Sequence, residues 1–273
     1  MIAPRDEEAI ATRLIDAYDR AATLPPITST HADFTVDDAY RVLQRIEQRR
    51  VEQGWKAVGR KIGFTNTTIW PRYGVYRPMW AHVWQHTVHH ARDDRATLSL
   101  QGLVQPRIEP EIVFGIALPL PASDDPQAML GSVAWVAPGF EIVQSHFPDW
   151  KFTAADCTAA FGLHGALVMG TPLVLTPDNR GTIADLLPRF RLTLSQAGSA
   201  VDRGVGANVL GGPAHALAHL RRVLAEQPWA PPVAPGEIVT TGTISDAWPV
   251  APGETWSSDY GELPLNGLRL SFT

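Results

Sequence analysis

Apolar and polar residues follow two different periods along this chain. From residue 6 to residue 22, Ile10, Leu14, Ala17, Tyr18 and Ala21 recur at the three- and four-residue spacing of one helix face. Thr23-Leu24-Pro25-Pro26 ends that pattern. A second helix is predicted to open at Thr35, whose hydroxyl can cap it while Asp38 completes a capping box. Ala39, Val42, Leu43 and Ile46 form its apolar face, and Gly54 can close it in the left-handed conformation. These two helices predict an N-terminal cap over residues 1–55.

After residue 55 the texture changes. Short apolar runs are separated by Gly and Pro: 57–59, 112–118, 165–170, 190–195, 236–242 and 268–272. They predict a β-rich body over residues 56–273, continuous with the cap as one structural domain, and hence an α+β chain. Two helical windows interrupt it. Ala128, Met129, Leu130, Val133, Ala134 and Trp135 form a weak one, and residues 213–224, opened by Pro213, a strong one. Pro228 to Pro235 reads as a short rigid connector. There is no internal repeat and no low-complexity segment.

Composition narrows the functional classes. A chain of 273 residues can bury a sizeable core without staples. With a net charge of −5, and no basic cluster beyond Gln48-Arg49-Arg50 and Arg221-Arg222, it has no electrostatic footprint for nucleic acid. Cys157 is the single cysteine, so no internal disulfide can form, which fits a reducing cytoplasm. The segment Met1-Ile2-Ala3-Pro4-Arg5-Asp6-Glu7-Glu8 has no apolar core of a signal peptide. No apolar stretch reaches the ~18 residues of a membrane span. The expectation is a cytoplasmic protein with neither a membrane nor a nucleic-acid partner.

The densest chemistry lies in Gln105-Pro106-Arg107-Ile108-Glu109-Pro110-Glu111-Ile112-Val113-Phe114. On an extended segment Glu109 and Glu111 point to one face, and Pro110 discourages a helix. Two acids side by side among apolar neighbours repel each other and lose hydration. A hard divalent cation relieves both costs, and Glu141 in Pro138-Gly139-Phe140-Glu141-Ile142-Val143 offers a third carboxylate. Three carboxylates with water suit Mg²⁺ or Mn²⁺. The competing reading is a solvated edge strand guarded by proline.

Other residues carry two readings as well. Lys61, between Gly59 and Gly63, is either a buried ammonium for an anionic substrate or a surface lysine. Asp149 and Lys151 share a face if extended, as a functional acid–base pair or a surface ion pair. His146 and His164 are candidates for catalysis or for structural hydrogen bonding. Cys157 reads as a packed thiol. Asp202-Arg203-Gly204-Val205-Gly206-Ala207-Asn208 reads as a turn, lacking the third glycine of a dinucleotide site. Thr240-Thr241-Gly242-Thr243 offers hydroxyls and N–H groups to a carboxylate, or turn chemistry alone.

Taken in order, these segments resemble the 2-keto-4-pentenoate hydratase and 4-oxalocrotonate decarboxylase branch of the fumarylacetoacetate hydrolase superfamily. The resemblance runs through Phe34-Thr35, Asp38-Ala39-Tyr40, Val58-Gly59-Arg60-Lys61-Ile62-Gly63-Phe64-Thr65 and Gln105 to Ile112. It continues in Glu141-Ile142-Val143, Asp149-Trp150-Lys151, Asn208 to Pro213 and Pro235 to Thr243. It implies a mixed β-roll of the fumarylacetoacetase C-terminal type with an N-terminal helical region. It implies Mg²⁺ or Mn²⁺ on Glu109, Glu111 and Glu141, and a 2-oxo acid that chelates the metal and reacts through an enolate. Lys61 is implied at the active site, with Lys151 as a second cation. Homo-oligomerisation, and a complex with a pathway enzyme, are the partner expectations.

Two stretches depart from the family pattern. Gly-Val-Asp-x-Pro-Asp is replaced by Gly74-Val75-Tyr76-Arg77-Pro78-Met79-Trp80, which loses both acids and brings in Arg77. Ala-Asp-Asn-Ala-Ser-Ser-Gly is replaced by Ala159-Ala160-Phe161-Gly162-Leu163-His164-Gly165. The expectation is a more apolar pocket, with Arg77, Phe161, Leu163, Thr241, Gly242 and Thr243 contacting substrate and His164 as general acid/base. The leading function is a metal-dependent hydratase (a carbon–oxygen lyase) of 2-hydroxy-dienoates in catabolism of aromatic compounds. The alternatives are a 2-oxo acid decarboxylase or acylpyruvate-type C–C hydrolase, and a non-catalytic 2-oxo-acid-binding or structural partner protein.

Overall fold

The computed structural model describes residues 2–73 and 75–273; Met1 and Gly74, the latter opening the first departing stretch, lie outside them. In chain order the elements are α1 (Pro4–Asp19), α2 (Val36–Glu52), β1 (Ala57–Gly63), α3 (Trp70–Tyr73), β2 (Met79–Trp84), β3 (Val88–His90) and β4 (Arg95–Leu98). They continue with β5 (Arg107–Ile116), α4 (Pro126–Leu130), β6 (Val133–Val143), α5 (Ala154–Ala159), β7 (His164–Met169), β8 (Leu173–Val174) and α6 (Pro177–Leu186). The last are β9 (Arg191–Gln196), β10 (Ser199–Val205), α7 (Pro213–Ala225), β11 (Ile238–Thr240), β12 (Trp248–Pro249), β13 (Thr255–Asp259) and β14 (Arg269–Phe272). The architecture is α+β, with curled mixed sheets and helices on their flanks.

Among the described residues, the larger sheet runs β2-β1-β11-β5-β6-β7-β3, with β12 beside β5 and β8 beside β6. The smaller runs β10-β9-β13-β14-β4. The two meet through Ile108, Phe140, Ile142 and Val168 on one side and Leu194, Trp256, Leu270 and Phe272 on the other. α7 covers another part of the large sheet, packing Leu217, Leu220 and Val223 near Ile62, Ile112 and Phe114. Full burial of such side chains contributes roughly 1.5–3 kcal/mol each. α1 and α2 pack onto Phe147, Ala155, Ala159 and Phe161, so the helical region sits directly on the body.

Local chemistry accounts for most boundaries. α2 starts with the capping box between Thr35 and Asp38, and Gly54 follows its end at φ 90°. α1 ends at Asp19, short of residue 22, because Ala21 turns left-handed (φ 48°) and the Ala22 N–H donates back to Ala17 O. The weak window over 128–135 is half helix: α4 stops at Leu130, and Val133, Ala134 and Trp135 start β6, where pairing with β5 overrides local spacing. Gly204 lies inside β10, opposite Leu192, because Ala197 and Gly198 form the tight turn of a β9–β10 hairpin; Gly206 opens a short 3-10 turn. Few apolar residues mark α6 in the sequence; Thr176 and Asn179 form its capping box, and Pro177 takes its first position.

Candidate active site

β5 and β6 pair in register with Glu109 opposite Glu141 and Glu111 opposite Gly139. Residues opposite each other on antiparallel strands share a face, as do residues two apart. Glu109, Glu111 and Glu141 therefore converge, with carboxylate oxygens within 4.8 Å of one another. β5 is an interior strand, flanked by β6 and by β11 and β12, which excludes the guarded edge-strand reading. Pro110 sits where β5 passes between β11 and β12. Its carbonyl accepts from the Ile244 N–H (3.0 Å), so its nitrogen faces the 241–247 loop and no regular ladder bond is lost there.

That loop is held from several sides. Thr65 Oγ1 donates to Thr241 O (2.8 Å), Asn66 Nδ2 to Ser245 O (3.2 Å) and Asn208 Nδ2 to Ile244 O (3.0 Å). Gly242 adopts φ 94°, and a Cβ there would lie 1.8 Å from Thr65 Oγ1, so only glycine fits. This conformation aims the Gly242 N–H at Glu111 Oε2 (2.8 Å). Lys61 enters from β1 and is buried; its Nζ lies 3.0 Å from Glu141 Oε2 and donates to Gly162 O at 3.0 Å. Gly162 lies in a left-handed run with Phe161 and Leu163 (φ 59°, 55° and 64°), a strained backbone beside the site.

Burial favours the neutral carboxyl at all three glutamates, yet they divide. Burial, opposed by Lys61, pushes Glu109 up to about 7. Burial, reinforced by Glu141 and Glu109, holds Glu111 well above the usual range. At Glu141, Lys61 and His164 outweigh burial and hold the carboxyl down at about 2. Burial works against the Lys61 ammonium, but Glu141, Glu109 and Glu111 outweigh it and raise its pKa. The ionised pair is thus Glu141 with Lys61, while the buried Glu111 and the half-buried Glu109 lack a matching cation. Glu111 Oε1 is buried without a hydrogen-bond partner. An orphaned oxygen among three converging carboxylates fits a hard, oxygen-seeking divalent cation.

A cleft of about 600 Å³, measured to its open mouth, reaches this cluster. Lys61 and Glu109 line its deep end, and Gly242, Thr243 and Leu163 stand in its wall. Phe64, Met79, Trp150 and Phe152 make the rest largely apolar, with Asn66 and Asp246 as polar interruptions. Neither Asn66 nor Asp246 is marked by spacing or composition in the sequence. Asn66 adjoins the Lys61 motif, and Asp246 follows the Thr-Gly-Thr turn, so proximity to both motifs was the signal.

Five expected site residues stand elsewhere. Lys151 is 82% exposed, 3.7 Å from Asp149. The segment is a tight turn with Asp149 and Trp150 at φ 56° and 57°, not an extended strand, so Trp150 takes the cleft position. Arg77 is exposed and pairs with Glu226 at 3.5 Å. Phe161 packs under α1 and α2, 4.6 Å from the Tyr18 ring. Thr241 is buried behind the wall, its Oγ1 donating to Ile112 O at 3.0 Å. His164 is buried behind Glu141 rather than lining the cleft. His146 Nδ1 bonds Ala22 O at 2.9 Å, and Cys157 is a buried thiol; both are structural. No described helix is long and apolar enough to cross a membrane.

Known proteins share both sequence and fold. The family profile described as "Fumarylacetoacetate (FAA) hydrolase C-terminal" matches residues 75–264. A 2-keto-4-pentenoate hydratase of Paraburkholderia xenovorans is 31% identical over 267 residues, covering 97% of this chain and 93% of its own. A 4-oxalocrotonate decarboxylase of a Pseudomonas species is 30% identical, over 93% of this chain and 90% of its own. The solved 4-oxalocrotonate decarboxylase of Pseudomonas putida, complexed with magnesium and adipate, superposes with a TM-score of 0.88 over 100% of this chain and 99% of its own. At 24% identity, that likeness speaks for the fold.

Proposed function

The chain belongs to the fumarylacetoacetate hydrolase family, and from that premise we propose that it is a divalent-cation-dependent hydratase of 2-hydroxy-dienoates, a carbon–oxygen lyase of aromatic catabolism. The observation that carries this reading is the convergence of Glu109, Glu111 and Glu141 at the end of a largely apolar cleft beside Lys61. In this reading the three carboxylates hold Mg²⁺ or Mn²⁺. Bound there, the cation supplies Lewis acidity toward a 2-oxo oxygen.

The chain's own residues account for the rest. In this reading Lys61 is a donor, its Nζ already donating to Gly162 O at 3.0 Å beside Glu141. Its buried Nζ binds the substrate carboxylate or the oxygen on which charge develops. The Thr243 segment flanks that end of the substrate. Phe64, Trp150, Phe152 and Leu163 receive the hydrocarbon part and exclude water from it.

The same wall favours hydration over decarboxylation of 4-oxalocrotonate. That substrate carries a second carboxylate, and Lys61 is the one cation among the described residues lining the cleft. A buried, unpaired carboxylate against aromatic rings is costly. Ultraviolet-monitored turnover of 2-hydroxy-dienoates, 4-oxalocrotonate and acylpyruvates, each with Mg²⁺, Mn²⁺ or EDTA, tests the reading. Cation-dependent loss of the dienoates is expected. Preferential consumption of 4-oxalocrotonate or of an acylpyruvate would transfer the chain to that reaction.

A further inference from the structure

His164 is a buried side chain that the proposed chemistry leaves unused. β6 and β7 pair regularly at Glu141–Leu167 and Ile142–Ala166, but the next pair is Val143–His164. Gly165 is the extra residue of a β-bulge. In an unbroken ladder Gly165 would oppose Val143, and His164 would project to the face opposite Glu141. The bulge puts His164 across from Val143, two residues from Glu141 and on its face. Gly165 is suited to this position, since a Cβ there would lie 2.7 Å from Ile142 O.

The consequence is a buried hydrogen-bonded strut. His164 Nδ1 lies 2.8 Å from Glu141 Oε1, and Nε2 lies 2.8 Å from Thr87 Oγ1. An ionised carboxylate only accepts, so Nδ1 carries the hydrogen and donates it to Glu141. Thr87 Oγ1 also lies 2.8 Å from Trp84 O, at the end of the turn that joins β2 to β3. Both ring nitrogens are engaged, and the ring is 2% exposed. This arrangement does not suit a proton carrier to substrate, the role expected from sequence. It suits a group that fixes another side chain.

We propose that His164 is a positioning residue which, braced by Thr87, holds the Glu141 carboxylate in the orientation needed to bind a divalent cation together with Glu109 and Glu111. This rests on reading Glu141 as a cation ligand. Lys61 restrains Oε2 of the same carboxylate, and His164 restrains Oε1, so its plane is set from two sides. Partners of this kind, one step removed from the ion, typically change metal affinity 10–100-fold when removed.

The test is the Mn²⁺ dissociation constant, measured by calorimetry on wild type, Glu109→Gln, His164→Leu, His164→Asn and Thr87→Val. Asparagine can place an amide N–H near the position of Nδ1; leucine fills space without a donor. His164→Leu is expected to weaken Mn²⁺ by about 10–100-fold. His164→Asn should recover most of that loss, and Thr87→Val should weaken binding several-fold. Wild-type affinity in His164→Leu, with Glu109→Gln weakened, overturns the positioning role and leaves the cation site standing. Equal losses in the leucine and asparagine variants reduce His164 to packing. Unweakened Mn²⁺ binding in Glu109→Gln removes the cation site and the proposal with it. If His164→Leu does not fold, Asn against Thr87→Val still decides: loss in Thr87→Val with retention in Asn supports the strut, and the reverse contradicts it.

Discussion

Lys61 and Lys151 separate by backbone geometry what their residue type leaves equal. Lys61 sits on a regular strand and is driven inward between Glu141 and Gly162 O. Lys151 follows a left-handed turn and projects into water. Removing the Lys61 ammonium takes positive charge away from the proposed cation position, which offsets the lost restraint on Glu141 Oε2, so Lys61→Met should leave Mn²⁺ affinity within several-fold of wild type. Losing a preorganised donor should lower kcat by about 100-fold or more. Calorimetry and steady-state rates on one preparation check both, and a strong loss of Mn²⁺ affinity would contradict the assignment of Lys61 to substrate. Lys151→Ala should change neither rate nor stability beyond about 0.5 kcal/mol, as for an exposed side chain outside any special feature. A large rate loss there would place Lys151 at the mouth of the cleft in the working enzyme. Glu109 and Glu111 were readable in the sequence as sharing a face because alternation on a strand fixes the face of each side chain, and Glu141 by its similar apolar setting. Alternation fitted Lys61 to a surface as well, and only the resemblance pointed it inward. Arg77, Lys151, Phe161 and Thr241 were not readable, because their directions depend on turns and packing that no spacing encodes.

Among the elements, α2 shows how far local chemistry reaches. Its start, face and end were all readable, because the Thr35–Asp38 box and Gly54 act within a few residues. The strand run at 165–170 was readable too, but the bulge that turns His164 toward Glu141 was not, since it is set by the partner strand. The β9–β10 hairpin and α6 escaped because a two-residue turn and a sparsely apolar helix carry weak periodicity. The α2 cap also titrates. Burial opposes ionisation of Asp38, but hydrogen bonds from Thr35 and the Ile2 N–H, with Arg41 nearby, outweigh it and hold the carboxyl down at about 2. A depressed carboxyl pKa gives stability that is present above the ordinary value near 4 and lost as pH falls through 2. Asp38→Asn should therefore cost on the order of 1–2 kcal/mol at pH 7, with the gap to wild type closing between pH 4 and pH 2. Urea unfolding of both proteins at pH 7, 4 and 3 measures it. A gap of constant size across that range would mean that the cap acts by packing and not by charge.

At the scale of the molecule, a cation in the cluster would do more than activate substrate. Glu109, Glu111 and Glu141 come from two adjacent strands in the middle of the large sheet, and the Gly242 N–H that bonds Glu111 comes from the loop between β11 and β12. Lys61 adds β1, and His164 adds β7 and, through Thr87, the β2–β3 turn. Four of the sheet's strands, with the β11–β12 loop and the β2–β3 turn, thus converge on one electrostatic cluster, which holds more carboxyls than cations to match them. Such a cluster strains the folded state and is relieved by whatever binds it in the native arrangement alone. An unfolded chain keeps the carboxylates but loses their register, so its affinity for the ion is far lower. Mn²⁺ at 100 times its dissociation constant should then raise apparent stability by about 2.7 kcal/mol and raise the melting temperature with concentration, and EDTA should reverse the gain. Glu109→Gln should melt at or above the wild-type apo temperature, having lost one carboxyl of the crowded cluster, yet gain little from Mn²⁺. Thermal unfolding of both proteins across a Mn²⁺ series decides the matter. A melting temperature that ignores Mn²⁺ in the wild type would mean the cluster is balanced by protons alone, and the metal-dependent reading of the cleft would fall with it.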